Sequence, residues 1–200
     1  HKDLKADYIL ANPPFNISDW GQEKLLDDYR WKYGIPPKGN ANYAWLQHMI
    51  SKLSVNGKAA IILANGSLSA GGQEGEIRKN IIEADLVDCI VAMPSNLFYT
   101  VTIPCSVWII NRNKKQKGNT LFINATDFGT MVTRKLRELT EEDIYKILKN
   151  ALERKDGLGE YSIKIEDSTL RKIADISNGD VRTALNGLEI AVLTTSMSSD

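Results

Sequence analysis

The chain has 200 residues, 42% of them hydrophobic and 25% charged, with 25 basic and 25 acidic side chains. That composition suits one medium domain or two small ones with genuine apolar cores, and it excludes a disordered or low-complexity chain. No apolar run is long enough to span a bilayer and no secretory leader opens the sequence, so a cytoplasmic protein without a membrane partner is expected.

Cys89 and Cys105 each stand in an apolar, strand-like run. There is no Cys-x-x-Cys, and histidines number only two. Buried free thiols are expected rather than a disulfide, and no metal. The neutral total hides an asymmetry. Residues 1–138 carry 17 basic against 13 acidic side chains, and residues 139–200 carry 8 against 12. A DNA partner needs a local basic face, not a basic total. Arg112, Lys114, Lys115 and Lys117 could form one, as could Arg134, Lys135 and Arg137. The first cluster reads better as a solvated turn, because residues 111–119 are polar between two strands.

In chain order, the first element is an apolar run at Tyr8, Ile9, Leu10 and Ala11, of the kind buried in the middle of an α/β sheet. It stops at Asn12-Pro13-Pro14-Phe15, because consecutive prolines supply no backbone N–H and cannot continue a ladder. A kinked backbone bearing an amide and an aromatic ring is left at a strand's carboxyl end, where ligands sit in open α/β sheets. The chemistry suited to it is recognition of an exocyclic amine. The Asn12 side-chain oxygen and the Pro13 carbonyl can together accept both N–H bonds of an adenine amino group. That concentrates the nitrogen lone pair for attack on an electrophilic methyl. Pro14 fixes the turn, and Phe15 can stack on the base once it has left the duplex. Alone, Asn-Pro-Pro reads equally well as a proline turn. The strand before it and the phenylalanine after it favour the site.

Residues 19–39 are polar and aromatic, with Trp20, Tyr29, Trp31 and Tyr33, and end in Ile35-Pro36-Pro37. They read as a surface loop able to close over substrate. Its aromatics either stack on bases or pack on the domain, and packing is the simpler reading for most. Residues 42–53 place Trp45, Leu46, Met49, Ile50 and Leu53 at helical spacing, with His48 beside the stripe as a packing or surface residue. Strands follow at 58–64, 86–93, 103–111 and 121–125, with a helix at 73–84 and a loop holding Asn96, Phe98 and Tyr99. This order is the second half of a doubly wound α/β sheet. Gly57 precedes its strand and Gly71-Gly72 lies several residues past one, so neither makes the tight strand–turn–helix junction of a dinucleotide-type site.

These residues resemble the N6-adenine DNA methyltransferases, specifically the methylation subunit of type I restriction–modification systems. The likeness runs through Asp7-Tyr8-Ile9-Leu10-Ala11-Asn12-Pro13-Pro14-Phe15-Asn16, then Ala41-Asn42-Tyr43-Ala44-Trp45-Leu46-Gln47-His48-Met49. It continues through residues 57–66, 71–78, 103–110 and Phe128-Gly129-Thr130-Met131-Val132, and covers about residues 1–147. The resemblance implies a methyltransferase (Rossmann-like) sheet in which the four main strands are the fourth to seventh, the last antiparallel. It implies S-adenosylmethionine as cofactor, Asn12, Pro13, Pro14 and Phe15 as catalytic residues, and DNA as substrate. It also implies specificity and restriction subunits as partners, the specificity subunit choosing the target.

Two domains are expected, a partial catalytic domain over 1–138 and a small α-helical bundle over 139–200. Residues 140–153 read as a charged helix opened by Thr140 with Asp143 three places on, an approximate capping box. Gly157-Leu158-Gly159-Glu160-Tyr161 reads as a turn. Helices follow at 167–176 and 180–194, the last with Val181, Leu185, Leu188 and Val192 as its stripe. Residues 148–159 and Ser177-Asn178-Gly179-Asp180-Val181-Arg182-Thr183-Ala184-Leu185-Asn186 resemble the lid of a replication-associated recombination ATPase of the AAA+ class. The resemblance implies a phosphate-sensing arginine at Arg182. With no Gly-x-x-x-x-Gly-Lys-Ser/Thr loop, a helix-surface arginine is the better reading. Residues 139–144 fit both families, which suggests a hybrid. The leading expectation is thus the target-base half of an adenine methyltransferase, truncated and inactive alone. The alternatives are a non-catalytic DNA-associated or assembly module with a clamp-loader-like lid, and an inert fusion remnant with an exposed sheet edge.

Overall fold

The computed structural model describes residues 3–98, 100–153, 163–177 and 181–194, the last without the side chains at 181, 182, 186, 189 and 193. Tyr99, the expected turn at 157–161, residues 178–180 and the Arg182 side chain lie outside the described residues. The chain forms two compact units, His1–Asn96 with Val101–Asp127, and Leu97–Thr100 with Phe128–Asp200.

The first unit is built on β1 (Ala6–Ala11), α1 (Asn42–Lys52), β2 (Leu53–Ala64), α2 (Gly72–Glu83), β3 (Val87–Ala92), β4 (Cys105–Asn111) and β5 (Leu121–Asn124). They make one five-stranded sheet in the order β1-β2-β4-β3-β5. β1 runs parallel to β2 and β3 parallel to β5, while β4 lies antiparallel between β2 and β3. The expected antiparallel strand is therefore present. It follows β3 through a non-helical connection, which suffices for an antiparallel neighbour, whereas parallel neighbours need a crossover such as α1 or α2.

The core lies on one face of this sheet. Tyr43, Leu46 and Ile50 of α1 and Ile77 and Ile81 of α2 pack on Ala59, Ile61, Leu63, Ile90, Trp108 and Ile110. Alternation along β2 produces this, since Ala59, Ile61 and Leu63 are buried while Ala60 and Ile62 are only half-buried. The Tyr43 and Trp108 rings meet edge to face at 6.2 Å.

The structure corrects the expectation for β1. Ile9 and Ala11 pack on the core, but Tyr8 is 78% and Leu10 66% exposed. β1 is one of the two edge strands of the sheet, and the face that Tyr8 and Leu10 share is exposed. Gly57 permits the close approach of β1, because a Cβ there would sit 2.9 Å from the Ala6 carbonyl oxygen. The β1–β2 register breaks at that place, from Ala6 opposite Leu53 to Tyr8 opposite Lys58.

The second unit holds the short antiparallel pair β6 (Thr130–Met131) and β7 (Arg137–Glu138), then α3 (Glu141–Glu153), α4 (Asp167–Ile176) and α5 (Val181–Thr194). Ile144, Leu148, Leu170, Ala174, Ala184 and Leu188 form its core. The capping box at α3 is complete. The Asp143 N–H donates to Thr140 Oγ1 at 3.1 Å and the Thr140 N–H to Asp143 Oδ2 at 2.9 Å. Gly129 opens β6 at φ +80°, where a Cβ would meet the Glu138 carbonyl at 2.6 Å, so only glycine fits. Cys105 is buried and Cys89 half-buried, and the two are not joined in a disulfide. Among the described residues no helix is long and apolar enough to cross a membrane, and no cluster of three His, Cys, Asp or Glu could hold a metal.

Candidate active site

β1, β2 and β3 share one direction, so their carboxyl ends open on the same edge of the sheet. Two loops at that edge are tied to the start of α1. The first is the proline loop that ends β1. Asn12 and Pro14 are exposed, Pro13 is buried and Phe15 is half-buried. The four residues thus form an outward ledge with Pro13 as its root.

Asn16, at φ 54°, turns the chain through the left-handed region that asparagine tolerates. Its N–H donates to Asn42 Oδ1 at 3.0 Å, and its Oδ1 accepts from Asn42 Nδ2 at 2.9 Å. Asn42 is 1% exposed and opens α1. The Asn42 N–H donates in turn to Asn40 Oδ1 at 2.9 Å, and the Ala41 N–H to the Ile17 carbonyl at 2.9 Å. A buried amide, bonded through both its oxygen and its nitrogen, therefore sets where the ledge stands.

The second loop follows β2 as the 3-10 turn Asn65–Leu68. Tyr43, the residue after Asn42, donates its hydroxyl to the Ser67 carbonyl at 2.8 Å. Arg78 Nη1 donates to the Ser67 and Ala70 carbonyls at 2.9 and 2.8 Å. Burial pushes the Tyr43 phenol up to about 12 and raises the Glu74 carboxyl. Asn65 Oδ1, Ser67 Oγ and Glu74 Oε1 are buried without a hydrogen-bond partner among the described residues. Asn42 and Tyr43 were matched in sequence without a role. Their signal was available, since polar Asn42 begins an otherwise apolar helix face.

Other sequence candidates fall elsewhere. Trp31 and Tyr33 are buried and Trp20 half-buried, as packing predicts, while Tyr29 stays exposed. Lys114 leaves the basic cluster, because its side chain is 2% exposed and its Nζ lies 2.6 Å from both Asp85 Oδ1 and the Asn119 carbonyl. Arg112 donates to the Ile50 carbonyl at 2.9 Å. Lys115 and Lys117 remain exposed. In the second unit Arg137 Nη1 holds the Phe128 and Gly129 carbonyls, which makes it a clamp of the hairpin. A cavity of about 630 Å³ there is lined by Glu138, Thr140, Glu142, Tyr145 and Arg171 among others. None of Asn12, Pro13, Pro14 or Phe15 lines it, nor a smaller cavity of about 200 Å³ in the first unit.

β1 leaves into prolines, and β2 into a turn separated from Gly72 of α2. Among the described residues neither strand runs through a glycine-rich turn directly into a helix N-terminus, so they do not fit S-adenosylmethionine in the manner of a dinucleotide cradle.

The sequence profile of the N-6 DNA methylase family matches residues 1–181, which extends the likeness beyond residue 147. The chain is 53% identical over 176 residues to the type I restriction enzyme HindI methylase subunit of Haemophilus influenzae, covering 86% of this chain and 40% of that protein. Its fold is similar to the type I restriction-modification system methyltransferase subunit from Streptococcus thermophilus. The TM-score there is 0.66 at 30% identity, over 74% of this chain and 32% of that one. A shorter match, 47% identical over 66 residues, joins 32% of this chain to 16% of replication-associated recombination protein A of Bacillus subtilis. The chain thus spans about two fifths or less of the length of these relatives.

Proposed function

The chain belongs to the N-6 DNA methylase family, and from that premise we propose that it forms the target-base half of a type I adenine-N6 DNA methylation subunit. Asn12 Oδ1 and the Pro13 carbonyl accept the two N–H bonds of a flipped adenine amino group, Phe15 stacks on the ring, and Pro14 holds the turn. With both hydrogens engaged, the amino nitrogen's lone pair is turned out of conjugation and made available to an electrophilic methyl. The observation that carries this reading is the exposed Asn12 on a ledge whose far end is clamped by Asn42. Preorganised acceptors of this kind need no rearrangement when the base arrives.

S-adenosylmethionine is the methyl donor that the family likeness implies, and it supplies the electrophilic methyl. The described residues make no cradle for it, so the assignment covers base recognition. DNA is the substrate in this reading, with restriction and specificity subunits as partners and the specificity subunit choosing the sequence. Asn12→Ala tests it. Affinity for a duplex carrying one unpaired adenine should fall by about two- to tenfold, since the one hydrogen bond that Asn12 accepts contributes about 0.5–1.5 kcal/mol and the Pro13 carbonyl keeps the other. Unchanged affinity would end the reading.

The match to a recombination protein favours a second reading, an assembly module whose C-terminal bundle contacts other subunits. It expects self-association of the full chain that Asn12→Ala leaves untouched. A monomer at micromolar concentration would count against it.

A further inference from the structure

The cavity of about 630 Å³ in the second unit is walled by the β6–β7 hairpin, the start of α3, and α4. These walls hold one another. The Gly129 N–H donates to Asp143 Oδ2 at 2.9 Å, which ties the hairpin to the first turn of α3. Arg171 Nη1 donates to Glu142 Oε2 at 2.8 Å, and Tyr145 donates its hydroxyl to Asp167, so α3 is joined to α4. A cavity braced in this way needs little rearrangement to receive a ligand.

Its lining divides by chemistry and by access. Tyr145 and Ala174 are buried and serve as packing, whereas Val132 is 50% exposed and Leu139 half-buried, so an apolar surface stays within reach of solvent. The lining cation is Arg171, which lies between two carboxylates, at 2.8 Å from Glu142 and 3.2 Å from Asp167. Glu138 and Glu141 complete the acidic side. Both are exposed, and among the described residues neither carboxylate has a hydrogen bond or ion pair. The helix dipole accounts for an acidic residue at Glu141, in the first turn of α3, but not for Glu138 in β7. Of the hairpin's basic side chains, Arg134, Lys135 and Arg137, none lines the cavity, and Arg137 Nη1 is bonded to the Phe128 and Gly129 carbonyls.

We propose that this cavity docks a basic segment of a partner polypeptide. Its lysine or arginine side chains rest their methylenes on Val132 and Leu139 and bring their charged ends to Glu138 and Glu141. Both carboxylates reach solvent, so the segment meets them without opening the fold. Long basic side chains suit such a site because an apolar stem carries the charge. The volume falls within the roughly 300–1,000 Å³ of ligand pockets, which is room for a short segment rather than one side chain. Charge selects the class of partner. Two unmatched carboxylates repel phosphates, so this face is closed to nucleic acid. The inference is independent of the adenine ledge at Asn12 and of self-association by the bundle.

The test follows the fluorescence anisotropy of a labelled acetyl-Lys-Leu-Leu-Lys amide as the full chain is added at low salt. The same peptide with both lysines acetylated is the comparison. The charged peptide should bind about fivefold tighter, as expected for two exposed ion pairs. Added salt should shrink that preference. Glu138→Gln combined with Glu141→Gln should remove it, and the urea midpoint checks that these exposed substitutions leave the fold in place. Val132→Asn should weaken both peptides alike, because it removes apolar contact and no charge, and it serves where the double variant fails to fold. Asn12→Ala should leave peptide binding unchanged. Equal binding of the two peptides, or binding of neither, would overturn the proposal. So would a preference that survives in the folded double variant, wild-type affinity in Val132→Asn, or loss of peptide binding in Asn12→Ala. Failure of the adenine reading alone would leave the peptide response intact.

Discussion

Asn42 grips Asn16 from both sides, its Oδ1 accepting the Asn16 N–H at 3.0 Å and its Nδ2 donating to Asn16 Oδ1 at 2.9 Å. The two lie 26 residues apart, so the far end of the proline loop is fixed to the first turn of a helix. The next residue, Tyr43, holds the neighbouring loop through the Ser67 carbonyl. One turn of α1 thereby sets two loops at the same sheet edge.

Asn42→Ala should loosen the ledge without removing any group that touches the base. Adenine affinity is expected to fall about tenfold, and Asn42→Asp, which keeps the Oδ1 acceptor, should recover part of it. Equal losses in Ala and Asp variants would point to a general folding defect. Chemical denaturation of both variants separates the two outcomes, since a buried hydrogen bond contributes about 1 kcal/mol.

Tyr43→Phe removes only the hydroxyl and keeps the edge-to-face contact with Trp108. It leaves the Ser67 carbonyl with Arg78 as donor. The expected loss in unfolding free energy is about 1 kcal/mol, and a loss several times larger would show that the ring itself had moved.

Lys114 and Lys115 are neighbours with opposite fates. Lys114→Ala removes a buried ammonium from Asp85 and from the Asn119 carbonyl, so the denaturation midpoint should fall. Lys115→Ala, at an exposed site, should leave the midpoint in place. Salt-dependent DNA binding should show the reverse order, with Lys115→Ala the more affected.

Acid should destabilise the fold in two windows. His48 has its pKa lowered on folding, so the unfolded chain binds the proton more readily and stability is lost as pH falls below about the ordinary value of 6.5. Asp28 is held at about 2 by its hydrogen bonds to Arg30, against an ordinary 3.8, so its contribution disappears as pH falls from near 3.8 towards 2. Urea midpoints measured from pH 8 to pH 3 should decline in both windows. His48→Gln should flatten the upper one only.

The sequence shows the succession of strands and helices, the strand-end motif and the Thr140–Asp143 capping box, because each depends on neighbours within a few positions, whereas the antiparallel strand at 105–111 is implied by the family resemblance alone. It does not show that Tyr8 and Leu10 face outward. Their apolar run looks the same in a central or an outer strand, and only the sheet order decides between them. Nor does it show the Asn16–Asn42 clamp, the burial of Lys114 or the β6–β7 pair. Each joins residues whose meeting depends on how turns close, so a basic residue in a polar turn reads as solvated even where a carboxylate waits for it.

The central claim is amine recognition at Asn12, and one pair of probes isolates it. Two duplexes are compared by equilibrium binding to the wild-type chain and to Asn12→Ala. One presents a single unpaired adenine, and the other purine, the same ring without its amino group, at that position. The account predicts about a tenfold preference for adenine in the wild type and a clearly smaller one in Asn12→Ala, where the Pro13 carbonyl is the acceptor that remains. Equal affinity of the wild type for both duplexes would contradict it.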